Sequence, residues 1–197
     1  KLLLHPRALN IGQWWEYFLS GSYYFIGWVN FIFIICPVAF IIFGFRPLVA
    51  DPLIYIAAFV PYFAFSMSTF YLSMRKRGYR VRDLFLAQSL AFITFWPLMQ
   101  AAVVAMLGKK RAFGVTPKGA GGRIPWGYMS PQLCLLAISL IAVLVGIYRL
   151  TATVELAMLV NVFWAIYHSF LLGMIFHFNH PFYGYPDAHI FRDWAAP

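Results

Sequence analysis

The segment from Gly108 to Gly127 concentrates the residues best suited to chemistry. It runs GKKRAFGVTPKGAGGRIPWG and holds six glycines, at 108, 114, 119, 121, 122 and 127. A backbone this rich in glycine bends freely and lets main-chain N–H groups come close to a bound molecule. Phe113, Thr116 and Lys118 lie inside it. An ammonium neutralises an anion, a hydroxyl donates a hydrogen bond and an aromatic ring packs on a heterocycle, a set that suits a nucleotide diphosphate. The same cations suit a basic loop resting on anionic lipid headgroups, and the residues alone leave both roles open.

Three further stripes are polar at helical spacing. Tyr62, Ser66, Thr69 and Ser73 recur at i, i+4, i+7 and i+11, which places them on one helix face. Asn161, Trp164 and His168 form a second stripe, and Tyr23, Gly27 and Asn30 a weaker third. Polar groups on one face of an apolar helix suit the lining of a passage. Polar residues of this kind also bond across membrane helices, so each stripe is either lining or packing. Four of the five histidines, His168, His177, His180 and His189, lie near the C-terminal end. His177 and His180 share a face, yet no acid stands near His168 or His177, so hydrogen-bonding or interfacial roles are expected and no metal site is assigned.

The elements that must position these residues are set by composition. Of 197 residues, 62% are hydrophobic, 20% aromatic and 11% charged, and mean hydropathy is +0.74. Soluble domains carry about 25% charged residues, so a water-soluble globule is excluded, and disorder is excluded by the apolar content. Cys36 and Cys134 cannot build a disulfide framework and sit in apolar runs as packing residues. Fifteen Lys and Arg against six Asp and Glu give a net charge of +9. Ten of these cations fall in two clusters, Arg75, Lys76, Arg77, Arg80 and Arg82, then Lys109, Lys110, Arg111, Lys118 and Arg123. Both flank apolar runs, the distribution of a membrane protein with basic cytoplasmic loops rather than of a nucleic-acid binder. With no initiator Met and no signal-peptide pattern, the opening at Lys1 is expected to be a cut from something longer.

Five apolar stretches approach the roughly 20 residues that a bilayer crossing needs: residues 22–45, 53–73, 84–107, 131–148 and 153–178. Hydropathy alone counts five spans. The two basic clusters flank the third stretch, so a crossing there would put one cluster outside. Keeping both inside requires the third stretch to lie in the interface or re-enter. Gln88, Ser89, Thr94, Pro97 and Gln100 interrupt it and predict an interfacial helix bent at Pro97; a plain fifth span is the alternative. The expected fold class is therefore all-α integral membrane, with four transmembrane helices, an N-terminal interfacial helix over 1–20, a central one over 84–107 and a cytoplasmic glycine-rich loop over 108–127. The region 21–178 is the membrane region and 179–197 a cytoplasmic tail, with both termini inside.

The segment FGVTPKG, Phe113 to Gly119, resembles the FxVTxK gating-loop motif of bacterial cellulose synthases and related β-glucan synthases of glycosyltransferase family 2. FRPLVAD (45–51) and PYFAF (61–65) are similar to that family's first external turn and second span, and NVFWAIYH (161–168) to its final span. The resemblance extends from Leu2 to about His177 and implies two spans, an interfacial helix, the gating loop and two more spans. It further implies that Phe113, Val115, Thr116 and Lys118 contact the nucleotide of UDP-glucose, with Tyr62, Ser66, Thr69, Asn161, Trp164 and His168 as channel-lining candidates.

Catalysis in that family needs an aspartate base, a DxD pair holding Mg2+ or Mn2+, and a QxxRW motif. The six acids, Glu16, Asp51, Asp83, Glu155, Asp187 and Asp193, form no DxD. The resemblance thus implies the channel and gate of a processive β-glucan synthase, inactive alone. Its partners are expected to be a catalytic domain carrying the divalent cation, UDP-glucose, the glucan and the lipid of a bacterial inner membrane, with no nucleic acid and no cofactor on this chain. A non-enzymatic membrane scaffold or anchor subunit and a histidine-metal membrane oxidoreductase are the alternatives.

Overall fold

A computed structural model describes residues 9–46, 51–109 and 124–180. The described residues are 85% helical and include no strand. Four helices are long and apolar enough to cross a membrane: Ile11–Phe43, Pro52–Arg75, Trp126–Ala152 and Leu156–Phe178.

The first is α1 (Ile11–Ser22) joined to α2 (Ile26–Phe43) by a 3-10 turn at Tyr23–Phe25. Asn10 starts it: its Oδ1 accepts from the Gln13 N–H at 2.8 Å, and Gln13 Oε1 accepts from the Asn10 N–H at 3.3 Å, a reciprocal cap for two orphan donors. Of the stretch expected as an N-terminal interfacial helix, residues 11–20 are helical and lead through the 3-10 turn into α2. Gly44, at φ +70°, closes α2 in a left-handed conformation that costs glycine least. The next helix, α3 (Pro52–Arg75), is capped by Asp51, whose Oδ1 accepts from Leu53 N–H at 2.8 Å and Ile54 N–H at 3.4 Å. Beyond it come α4 (Val81–Ile93), α5 (Phe95–Met106), α6 (Ser130–Ala152), α7 (Leu156–Gly173) and the single turn α8 (Ile175–Phe178).

Helices α2, α6 and α7 form the core. Val38, Phe40 and Ile41 pack with Ala142, Met158, Val162 and Ala165 in one layer. Ile34, Leu135, Leu136 and Leu172 form a second layer, which Phe95 and Met99 of α5 complete. Ile93, Met129 and Ile175 form a third. Small residues set the approach: Gly146 lies against Val162 and Ile41, and a Cβ on Gly27 would stand 2.5 Å from the Phe95 carbonyl oxygen. Such close backbone approach is how helices associate where lipid removes the hydrophobic drive.

One end of the bundle is marked by Arg46 Nη2 against Glu155 Oε1 at 3.4 Å. Arg149 on α6 caps α2 there, Nη1 donating to the Ile41 carbonyl at 2.7 Å and Nη2 to that of Ile42 at 3.4 Å. The turns after α2 and after α6 therefore share one end, as their low cation content predicts. At the other end, Asn179 grips Ile124: its Oδ1 accepts from the Ile124 N–H at 2.8 Å, and its Nδ2 donates to the Ile124 carbonyl at 3.1 Å.

Helices α4 and α5 bend by 47°. The break falls at Thr94 rather than at Pro97, which instead sits in the first turn of α5. Proline deprives the carbonyl four residues earlier of its donor and clashes with it, so the helix stops one turn upstream of the ring. The deprived carbonyl is that of Ile93, and Gln132 Nε2 donates to it at 3.0 Å. Asn30 Nδ2 donates to the Ala91 carbonyl at 3.1 Å, and Thr94 Oγ1 to those of Leu90 and Ala91 at 3.0 and 3.2 Å.

The backbone contact at Gly27 makes a prediction. Gly27→Val forces α5 off α2 and lowers stability by about 1–3 kcal/mol, the usual cost of overpacking. Gly21→Ala, where nothing lies within 4 Å, leaves stability unchanged or slightly raised. Thermal unfolding of the two variants in the same detergent checks this.

Candidate functional site

Helix α3 stands apart from the core. It contains no buried residue, whereas the other three candidate spans each bury part of their length. Aromatic rings on α3 run along one face: Tyr55 stacks on Phe59 at 5.4 Å between ring centres, and Phe59 on Phe63 at 5.6 Å. Phe59 also meets the edge of Trp164 on α7 at 5.3 Å. From Trp164 the row continues to His168 at 5.7 Å, stacked, and from His168 to Phe92 of α4 at 5.5 Å. Tyr167 borders both Trp164 and His168. An aromatic path thus joins α3, α7 and α4.

The sequence-derived candidates fall on and beside this path. Trp164 is its centre. His168 is buried, at 4% exposure, and its Nδ1 has no hydrogen-bond partner. Asn161 donates from Nδ2 to the Ala157 carbonyl at 2.8 Å, within its own helix. Tyr62 and Thr69 are exposed on α3 and Ser66 is half-buried. Thr69 and Ser73 line a cleft of about 470 Å³ with Leu72, Lys76 and Arg77, so the polar stripe ends among the first basic cluster. The weaker stripe of the first span is interhelix packing: Gly27 and Asn30 face α5 and the break, while Tyr23 is exposed.

Phe113, Val115, Thr116 and Lys118 lie outside the described residues, but both flanks of their segment are placed. Gly108, at φ +65°, follows the end of α5. Ile124 is held by Asn179 as described above, next to α8. The start of the segment also borders an apolar cleft of about 400 Å³ between Phe25 and Trp28 on one side and Val103, Met106 and Leu107 on the other.

Sequence reasoning missed the Tyr55–Phe59–Phe63 ladder, although its i, i+4, i+8 spacing is visible in the chain. It also missed Gln132, for which the signal was indirect: Pro97 implies an orphan carbonyl and hence a donor somewhere else. Among the described residues no three His, Cys, Asp or Glu side chains gather as a metal site would require.

The fold and these contacts define an all-helical chain of multi-pass membrane type, with an aromatic path along one outlying helix. The chain is 28% identical over 169 residues to the UDP-forming cellulose synthase catalytic subunit of Pseudomonas fluorescens (strain SBW25), covering 82% of this chain and 22% of that protein. It thus spans about a fifth of the length of the curated relative it matches. No protein-family model matches the chain, and no solved structure matches it significantly.

The Asn179 clamp predicts a graded effect. Asn179→Ala removes two hydrogen bonds of about 1 kcal/mol each and speeds tryptic cleavage within 109–123 several-fold. Asn179→Asp keeps the acceptor for the Ile124 N–H, loses the donor and falls between the two. Limited proteolysis in detergent micelles measures the order.

Proposed function

We propose that the chain is the glucan-translocating membrane part of a processive, cellulose-like β-glucan synthase that uses UDP-glucose, with 108–127 as its gating loop. The distant similarity to a cellulose synthase catalytic subunit carries this reading. The aromatic path supports it, since ring faces take up the C–H surfaces of a glucan while the Tyr62, Ser66, Thr69 and Asn161 groups nearby serve its hydroxyls. On this reading the Asn179–Ile124 end faces the cytoplasm and the Arg46–Glu155 end lies outside. The central helices 84–107 lie at the inner interface. Their bend supports this, and so do their contacts with 27–34 of α2, 132–136 of α6 and 168–178 of α7 and α8, all in the inner half. The gate residues are Phe113, Val115, Thr116 and Lys118, with Thr116 and Lys118 on the diphosphate.

The chemistry of sugar transfer, with its divalent cation, belongs to a catalytic partner domain. The acids described here do not fit that ion. Asp51 is occupied in capping α3, Asp83 accepts from the Arg80 N–H at 2.9 Å, and Glu155 pairs with Arg46. This chain's own contribution is to bind the nucleotide through the loop, exclude water and conduct the polymer.

In the complete synthase, Thr116→Ala combined with Lys118→Ala lowers polymer formation from UDP-glucose at least tenfold, measured in reconstituted vesicles. A cysteine at Lys118 is labelled from the nucleotide side by a membrane-impermeant maleimide. Labelling only from the opposite side, or undiminished synthesis by the double variant, returns the chain to the role of an anchor for a partner.

A further inference from the structure

The break between α4 and α5 is held by two side chains from two different spans. Asn30 of α2 and Gln132 of α6 are 7% and 6% exposed, and each aims its amide nitrogen at one carbonyl of the break, Ala91 and Ile93. The two acceptors belong to the turn that Pro97 and the change of direction disturb. Gln132 does this while its own Oε1 stays buried and without a partner. A half-satisfied amide in an apolar layer is costly, and a leucine would pack there without that cost. Its presence is explained by the one bond it donates. Gly27, one turn before Asn30 on the same face, lets the start of α5 lie against α2, which brings the end of α4 within reach of the two amides. Without these donors the alternatives for 81–106 are a donorless Ile93 carbonyl, with that of Ala91 left to the Thr94 hydroxyl alone, or a straight helix, and the helix pair is apolar and long enough to be one span.

We propose that Asn30 and Gln132 are positioning residues: together they hold α4–α5 bent at Thr94 and so fix where α5 ends, at Met106 to Gly108. Helix α5 is a lever with Asn30 and Gln132 at its fulcrum. Its 12 residues make an arm about 18 Å long at 1.5 Å per residue. Swinging that arm through the 47° bend displaces its far end by up to about 14 Å. The far end is Met106, two residues before Gly108, so the clamp governs the loop at one anchor while Asn179 governs it at the other. For the synthase this deepens the function proposed above, because a loop that must reach a nucleotide depends on both anchors.

The test uses the full chain in lipid nanodiscs, with Cys36 and Cys134 replaced by serine and spin labels on Met106→Cys and Leu144→Cys, both outward-facing positions. Dipolar electron resonance of the parent gives one narrow distance. Asn30→Leu with Gln132→Leu is expected to broaden it or shift it by several ångströms. Adding Pro97→Ala restores a main-chain donor for the Ile93 carbonyl and is expected to return a single, straightened population. If the leucine variant does not fold, Pro97→Ala is expected to recover it. A parent-like distribution in the leucine variant, or no effect of Pro97→Ala on a broadened or unfolded one, overturns the proposal. In the complete synthase the same leucine variant raises KM for UDP-glucose several-fold more than it lowers kcat. The distance measurement does not depend on any synthase activity, so a chain that clamps its bend but serves no synthase is told apart from one whose bend is not clamped.

Discussion

Backbone carbonyls surrounded by apolar side chains have no water to turn to, and each must find a donor within the protein. Continuous helices meet this demand for themselves. At Thr94 a helix is broken and turned by 47°, and the half of the bundle nearer Asn179 is arranged around that interruption. Pro97 removes a donor, Gln132 and Asn30 replace what the bend removes, and Gly27 gives α5 room to lie on α2. Phe95 and Met99 then complete the layer formed by Ile34, Leu135, Leu136 and Leu172. The polar bonds set direction and the apolar contacts supply area.

The half nearer Arg149 follows a simpler rule. There α2, α6 and α7 pack through Ile41, Ala142, Gly146, Val162 and Ala165 without α4 or α5. Arg149 and the Arg46–Glu155 pair tie the turns at the edge. The pair is exposed and worth little by itself; its value here is that it marks a common end. Helix α3 shares neither half fully. It touches the bundle through Phe59 and Trp164 and leaves its polar and aromatic residues exposed or half-buried.

Much of this was legible beforehand. Asn10 and Asp51 announce the starts of α1 and α3 because their side-chain oxygens suit orphan N–H groups. Five apolar runs announce candidate spans, the two flanking basic clusters set the third apart, and the sparse cations at Arg46 and Arg149 announce that their turns share an end. The bend in the central stretch was legible through Pro97, but its position was not, since proline acts on the carbonyl of the preceding turn. Asn30 was visible as a polar residue in a span, with packing and lining equally open; its partner, Ala91, is 61 residues away. The loop residues Phe113, Val115, Thr116 and Lys118 carry their meaning in their spacing and in resemblance alone.

Periodicity, charge and caps act over a few residues, and for that reason the linear chain determined which segments are helical and apolar enough to be candidate spans. Pairing across tens of residues depends on three-dimensional approach, which no local pattern encodes. Only the tertiary structure decided that Gln132 and Asn30 meet a broken helix, that His168 lies between Phe92 and Trp164, and that α3 is left at the margin with one face open.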